Sequence, residues 1–80
     1  TMQFLISYDL TQPGQDYKNL IAGLQKSGAR RVLLSAWVIN TPWSATAIRD
    51  WVMKLTDRND RVLVTEFSDW AASNALSKIA

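Results

Sequence analysis

Residues 31–40 read RVLLSAWVIN, and this stretch decides the fold because one helical pattern precedes it and another follows it. The stretch is rich in β-branched and aromatic residues, which favour strands. Its length allows two short strands, or one bent strand with its break near Ser35 and Ala36. Both interpretations place extended chain in the middle of the sequence, and the choice between them sets the number of strands.

The two flanking segments have the apolar spacing of helices. In the first, apolar residues recur every three or four positions from Tyr17 to Leu24, with Asp16 as the expected N-cap and Gly28 as the left-handed residue that ends the helix. In the second, Ser44 is the expected N-cap. The apolar positions of this second helix are Ile48, Trp51, Val52 and Leu55. These patterns predict two amphipathic helices.

Strands are expected near both ends of the chain. Residues 3–8 alternate as a strand with one buried face does, and residues 61–67 contain the apolar run Val-Leu-Val. The tail, residues 68–80, carries alanine and leucine at helical spacing, which predicts a short third helix. With a strand pair in residues 31–40, the order becomes βαββαβ. This order predicts a single α+β, ferredoxin-like domain over residues 2–80, with an antiparallel four-stranded sheet, two helices on one face and a short C-terminal helical tail.

The composition excludes several classes of site. The 80 residues contain no cysteine and no histidine, which excludes disulfides, thiolate metal sites and imidazole catalysis. Nine basic and seven acidic side chains are interleaved to a net charge of +2, well short of the footprint of a strong nucleic-acid binder. The apolar runs are far shorter than the roughly 20 residues that span a bilayer. We therefore expect no membrane insertion and a cytoplasmic location.

The size of the chain predicts self-association. A domain this small builds a thin core, and without cysteine it has no disulfides to compensate. With both helices on one face of the sheet, the other face is expected to expose Leu5, Leu33 and Leu63, and an apolar patch of that kind usually marks an interface. We expect a homodimer that forms through this sheet face or through an edge strand.

Four segments carry a resemblance to a known family. They are 4–10 (FLISYDL), 13–17 (PGQDY), 35–39 (SAWVI) and 47–50 (AIRD). Together they resemble small bacterial proteins called SinR-like, which are similar to the CRISPR-associated Cas-two protein and to virulence-associated protein D. The likeness covers most of residues 2–67. It implies a ferredoxin-like homodimer and, in the nuclease members, a metal-dependent phosphodiesterase whose essential aspartate ends the first strand.

Asp9 matches that aspartate and is the candidate catalytic and metal-binding residue. Magnesium keeps several waters and needs only one or two protein carboxylates, so Asp9 from each subunit of a dimer could hold one Mg²⁺ or Mn²⁺ ion that polarises a phosphate. A second interpretation is structural: aspartate after a strand commonly caps a turn through an Asx hydrogen bond. Both interpretations of Asp9 stay open at the level of sequence.

Three further residues are candidates for nucleic-acid binding. Arg30 and Arg31 can clamp phosphates, because planar guanidinium groups bind them through two hydrogen bonds. Ser35 can hydrogen-bond a phosphate. The alternatives are ordinary ones, since strand-edge arginines also discourage aggregation between sheets and a serine suits a strand break.

Four tryptophans in so short a chain indicate a partner surface as well as a core. Trp51 lies on the apolar stripe of the second helix, whereas Trp43 and Trp70 are expected near the surface. Three functions therefore remain: a Cas-two-like dimer that binds RNA or DNA weakly without catalysis, a metal-dependent endonuclease acting on either, and a protein-interaction module of a toxin or defence system. The first is the preferred hypothesis.

Overall fold

Residues 1–11 and 17–78 are described by the computed structural model. Within these ranges the elements follow in the order β1 (Met2–Asp9), α1 (Lys18–Lys26), β2 (Arg30–Leu33), β3 (Ala36–Thr41), α2 (Ala45–Met53) and β4 (Arg61–Glu66). The segment that decides the fold is thus a strand pair, and Leu34 and Ser35 form the turn between its strands. The break predicted near Ser35 is confirmed.

The strands form one open antiparallel sheet with the order β2-β3-β1-β4. Ile6 in the centre of β1 lies opposite Trp37 of β3 on one side and Val64 of β4 on the other. The observed architecture is therefore α+β, with a four-stranded antiparallel sheet and two helices. It is compatible with the predicted ferredoxin-like fold.

The helix boundaries follow local chemistry. Ser44 caps α2 as predicted, because its Oγ accepts a hydrogen bond from the Ala47 N–H at 3.1 Å. Gly28 follows α1 with a φ of +87°, a left-handed conformation that glycine adopts without a steric penalty. Tyr17 stands at the N-cap position of α1, whereas Asp16, the predicted cap, lies outside the described residues.

The inner face of the sheet, which the two helices cover, carries the main core. Phe4, Ile6 and Tyr8 of β1 point into it, as the alternation along the strand predicts. The two helices contribute their buried stripes at Leu20, Leu24, Ile48 and Val52. The apolar helical spacing is confirmed by these buried positions, and Trp51 and Leu55 pack at the margin of the core.

The outer face of the sheet is not bare, because the C-terminal tail lies against it. Val32, Ala36 and Val38 form a small buried cluster there, and Phe67 packs on it. The tail is attached at its far end by a 2.9 Å hydrogen bond from the Leu76 N–H to the Val32 carbonyl. Its residues 68–78 contain no helix, so the predicted C-terminal helix is not found in the described part of the tail.

The physical reason lies in what the tail contacts. An isolated stretch of alanine and serine gains little from helix formation in water, whereas a tail laid on the sheet covers apolar surface and bonds to an edge strand. Leu5 is accordingly half buried, while Leu33 and Leu63 keep 54% and 60% of their surface exposed. The tail therefore covers the outer face at Val32, Ala36 and Val38, and it leaves Leu33 of β2 and Leu63 of β4 open.

Candidate functional site

A cavity of about 570 Å³ lies at the end of β1, between the edge of the sheet and α1. It brings together three of the residues singled out from the sequence, Asp9, Arg31 and Ser35, and adds Arg61 from the start of β4. The antiparallel pairing of β1 with β4 accounts for the addition, because it sets Asp9 directly opposite Arg61. The predicted topology contained this signal, since the end of one antiparallel strand meets the beginning of its neighbour.

Asp9 is an open carboxylate with one weak ionic partner. Its Oδ2 lies 3.9 Å from Arg61 Nη1, and the two side chains are 73% and 79% exposed. Exposed pairs of this kind contribute about 0–1 kcal/mol, so each charge remains available to a ligand. Across residues 1–11 and 17–78, no cluster of three metal-ligating side chains is present. The chain thus supplies one carboxylate at this position, within the one or two that a magnesium ion uses.

Thr11, which follows β1, is bound by a different aspartate. An Asx turn at Asp9 would use the Thr11 N–H, but that group donates to Asp60 Oδ1 at 2.8 Å. The Thr11 hydroxyl donates to the same oxygen at 3.1 Å, and the Asp57 N–H donates to Asp60 Oδ2 at 2.8 Å. Among the described residues, the Thr11 N–H thus binds Asp60 and not Asp9, and the sequence indicated Asp60 only as part of a turn. The turn at Pro13 that Asp9 was considered to cap lies outside the described residues.

These hydrogen bonds also change the acidity of Asp60. Desolvation alone would raise the pKa of its carboxyl, but the hydrogen bonds from the Thr11 and Asp57 N–H groups and from the Thr11 and Tyr17 hydroxyls together outweigh this effect and hold the pKa below its ordinary value. The charged form is therefore stabilised in the folded protein. Through it, Asp60 ties the loop after β1 to the loop before β4.

Arg31 is fixed in place by its own turn and by an aromatic ring. Its Nε and Nη2 both donate to the Leu34 carbonyl, at 2.9 and 2.6 Å, and its Cζ lies 5.6 Å from the centre of the Trp37 ring. No carboxylate of the described residues lies within salt-bridge distance of it. A guanidinium held in this way presents an uncompensated positive charge at the cavity with little left to order on binding.

Arg30 is not part of this cavity. Neighbouring residues in a strand point to opposite faces, and the Arg30 guanidinium donates instead to the Lys78 carbonyl of the tail at 3.2 Å. Ser35 does line the cavity, with its side chain exposed and its carbonyl accepting the Tyr8 N–H at 3.1 Å. The site therefore contains Arg31 and Arg61 as its two cations, and not the predicted Arg30 and Arg31 pair.

No protein-family model matches the sequence. Within the described part of the chain, no helix is long and apolar enough to cross a bilayer. Among the described residues, two guanidinium groups, one carboxylate and the hydroxyl-bearing residues Tyr8, Thr11, Tyr17 and Ser35 line a cavity that opens at the end of the sheet.

Proposed function

We propose that this chain is a ferredoxin-like, Cas-two-like homodimer that binds nucleic acid weakly through the cavity at the end of β1, without catalysis. The observation that carries the proposal is the convergence of Arg31 and Arg61 on one open cavity. Guanidinium groups are the strongest side-chain partners for phosphate, and Arg31 has no carboxylate within salt-bridge distance among the described residues. Two cations and a net charge of +2 support weak binding and not tight binding.

The Asp9–Arg61 pair is compatible with this role. Asp9 alone would repel a phosphate, but its charge is offset by the guanidinium opposite. Because both side chains are largely exposed, moving Arg61 from the carboxylate to a phosphate costs at most about 1 kcal/mol. In the unbound protein, the pair thus leaves little net charge at Asp9. On binding, the Arg61 guanidinium can move from Asp9 to the phosphate.

The homodimer draws its support from the apolar residues that the tail leaves open. Leu33 and Leu34 at the end of β2 are 54% and 76% exposed, and Leu63 of β4 is 60% exposed. Leu33 and Leu63 lie on the two edge strands of the sheet, and Leu34 lies in the turn that follows β2. Light scattering of the purified chain is expected to give a mass of two chains that is independent of concentration over the micromolar range, and a mass of one chain would contradict the dimer.

Binding is tested by fluorescence anisotropy with labelled single-stranded RNA and DNA at several salt concentrations. Arg31→Ala is expected to weaken binding to both and to lower the slope of log affinity against log salt by about 1, as the loss of one phosphate contact does. Arg58→Ala is the matched control, because Arg58 is exposed in the loop before β4 and does not line the cavity. Salt-independent binding, or an equal loss in both variants, would contradict the proposal.

A metal-dependent endonuclease is the second candidate, and the exposed carboxylate of Asp9 beside two guanidinium groups favours it. Cleavage would then require Mg²⁺ or Mn²⁺ and would vanish in Asp9→Asn, which keeps the shape of the side chain and removes its charge. Asp50→Asn is the control, because Asp50 is also an exposed aspartate paired with an arginine, at 2.9 Å from Arg49. Cleavage that persists unchanged in Asp9→Asn would exclude this site as its source.

A further inference from the structure

A second cavity, of about 520 Å³, lies between the two helices near the beginning of β1. Thr41, which pairs with Met2, lines it, so it lies at the opposite end of the sheet from Asp9. We call it the two-tryptophan groove. Its lining residues are Gly23, Lys26, Ser27, Ile39, Thr41, Trp43, Ile48 and Trp51. Its volume falls within the roughly 300–1,000 Å³ of small-molecule sites.

Two indole rings form the walls of the groove. Trp43 is 53% exposed, yet its position is defined, because its backbone N–H donates to Thr41 Oγ1 at 3.3 Å. Trp51 lies on the inner side, where Gly23 of α1 faces it. A Cβ at Gly23 would stand 3.6 Å from Trp51 Cζ2 and 2.9 Å from Leu55 Cδ1, so glycine keeps this part of the groove clear.

The polar groups of the groove favour an anion. Among the described residues that line it, Lys26 is the one charged side chain and none is a carboxylate. Neither indole N–H of the two lining tryptophans has a hydrogen-bond acceptor among the described residues. Flat aromatic walls, indole N–H donors and a single ammonium group together fit a ligand that has a planar ring and a negatively charged group attached to it.

We propose that the two-tryptophan groove binds one nucleotide, with its base stacked on Trp43 and its phosphate at the Lys26 ammonium. The choice of a nucleotide among planar anions rests on the proposed nucleic-acid binding. Stacking on an exposed aromatic ring tolerates any base, because every base has a π-face. The nucleotide can be free or part of a strand, and the chemistry of recognition is the same in both cases.

The test uses the full chain with adenosine monophosphate, measured by calorimetry and by the indole N–H signals in NMR spectra. Binding is expected to shift the signals of Trp43 and Trp51 and to weaken about 5- to 150-fold in Trp43→Ala, the range for loss of one base stack. Trp43→Phe keeps an aromatic face and is expected to retain most of the affinity. Trp70→Ala is the matched control, because Trp70 is 45% exposed in the tail, away from the groove.

The ammonium is tested in the same way. Lys26→Met keeps the length of the side chain, removes the charge, and is expected to weaken binding of adenosine monophosphate more than binding of adenosine. Lys54→Met is the control, because Lys54 lies at the C-terminal end of α2 and does not line the groove. Equal effects of the two lysine variants, or unchanged affinity in Trp43→Ala, would overturn the proposal.

A short labelled oligonucleotide distinguishes the two sources of the nucleotide. If Trp43→Ala weakens both ligands, the groove accepts a base of a strand, and if it weakens only the mononucleotide, the groove accepts a free nucleotide. Either result supports the groove. Binding of the oligonucleotide that depends on Arg31 but not on Trp43, together with no binding of adenosine monophosphate, would overturn the groove and leave the proposed function standing. Trp43-dependent binding of adenosine monophosphate without any binding of the oligonucleotide would overturn the proposed function and leave the groove standing.

Discussion

The two faces of the sheet differ in what covers them. Helices α1 and α2 cover the inner face and bury large side chains completely, among them Ile6, Trp37 and Ile48. The outer face is covered by the tail, over a cluster of three small or medium side chains. Burial of apolar surface is the main source of stability, so the inner face is expected to supply most of it.

The composition of the covering segment explains the difference. The helices present leucine, isoleucine and valine to the sheet, whereas the tail presents alanine and serine over much of its length. Such small side chains cannot fill the space above β2 and β3, and a cavity of about 420 Å³ remains between the tail and the sheet. Coverage by a tail of mostly small side chains therefore leaves the second cluster small and loosely packed.

Substitutions at neighbouring positions of β1 allow the stability contributions of the two faces to be compared directly. Ile6→Ala is expected to lower the free energy of unfolding by about 2–5 kcal/mol, because the side chain is fully buried among the helices. Leu5→Ala, on the outer face, is expected to lower it by at most about 2 kcal/mol, because that side chain is only half buried. Urea denaturation measures both, and equal losses would show that the tail packs as tightly as the helices.

The buried polar pair on the inner face predicts the next largest effect. Trp37 Nε1 donates to the Tyr8 hydroxyl at 3.0 Å in the core. Tyr8→Phe leaves this indole N–H without an acceptor, which is expected to lower the free energy of unfolding by about 1–3 kcal/mol. Thr65→Val removes a hydroxyl from an exposed position of β4. It is expected to change the free energy of unfolding by only a few tenths of a kcal/mol, within the usual range for surface substitutions. Denaturation curves that coincide for Tyr8→Phe and the wild type would contradict the prediction.

The inner face could be predicted from the sequence because its signals are local. The alternation of Phe4, Ile6 and Tyr8, the capping serine at position 44 and the left-handed glycine at position 28 each depend on a few adjacent residues. Asp9 at the end of β1 follows from the same alternation. The predictions of these features were correct because local propensity and tertiary packing agree along β1, α1 and α2.

The covering of the outer face and the roles of Arg61 and Asp60 at the site could not be predicted from local sequence signals. The alanine spacing of the tail suits a helix and also suits a segment laid on a sheet, and only the long-range bond from Leu76 to Val32 distinguishes the two. Arg61 and Asp60 likewise act through partners from the other end of the chain, Asp9 and Thr11. Contacts of this kind depend on strand register, which a single sequence specifies only indirectly.

Amide hydrogen exchange asks whether the two faces unfold together. The Leu76 N–H is bonded to β2 at 2.9 Å, but its own side chain is 58% exposed. We expect this amide to exchange through local opening of the tail, about ten times faster or more than the slowest amides of β1, which require global unfolding. Equal protection at Leu76 and in β1 would show that the tail belongs to the same cooperative unit as the core.

The smallest effect concerns the contacts of Asp60 at the end of β1, and it is seen in the pH dependence of stability. Hydrogen bonds hold the pKa of Asp60 below its ordinary value, so the folded state favours the charged carboxylate. Its contribution to stability is therefore present above the pKa of the unfolded chain, about 3.9, and is lost as the pH falls through the folded pKa. Urea denaturation between pH 7 and pH 3 is expected to show a smaller loss of stability on acidification in Asp60→Asn than in the wild type. Thr11→Val keeps the carboxylate but removes the hydroxyl that donates to it at 3.1 Å, so its loss on acidification is expected to lie between the two. Identical acid profiles for all three proteins would mean that the contacts of Asp60 do not stabilise its charged form in solution.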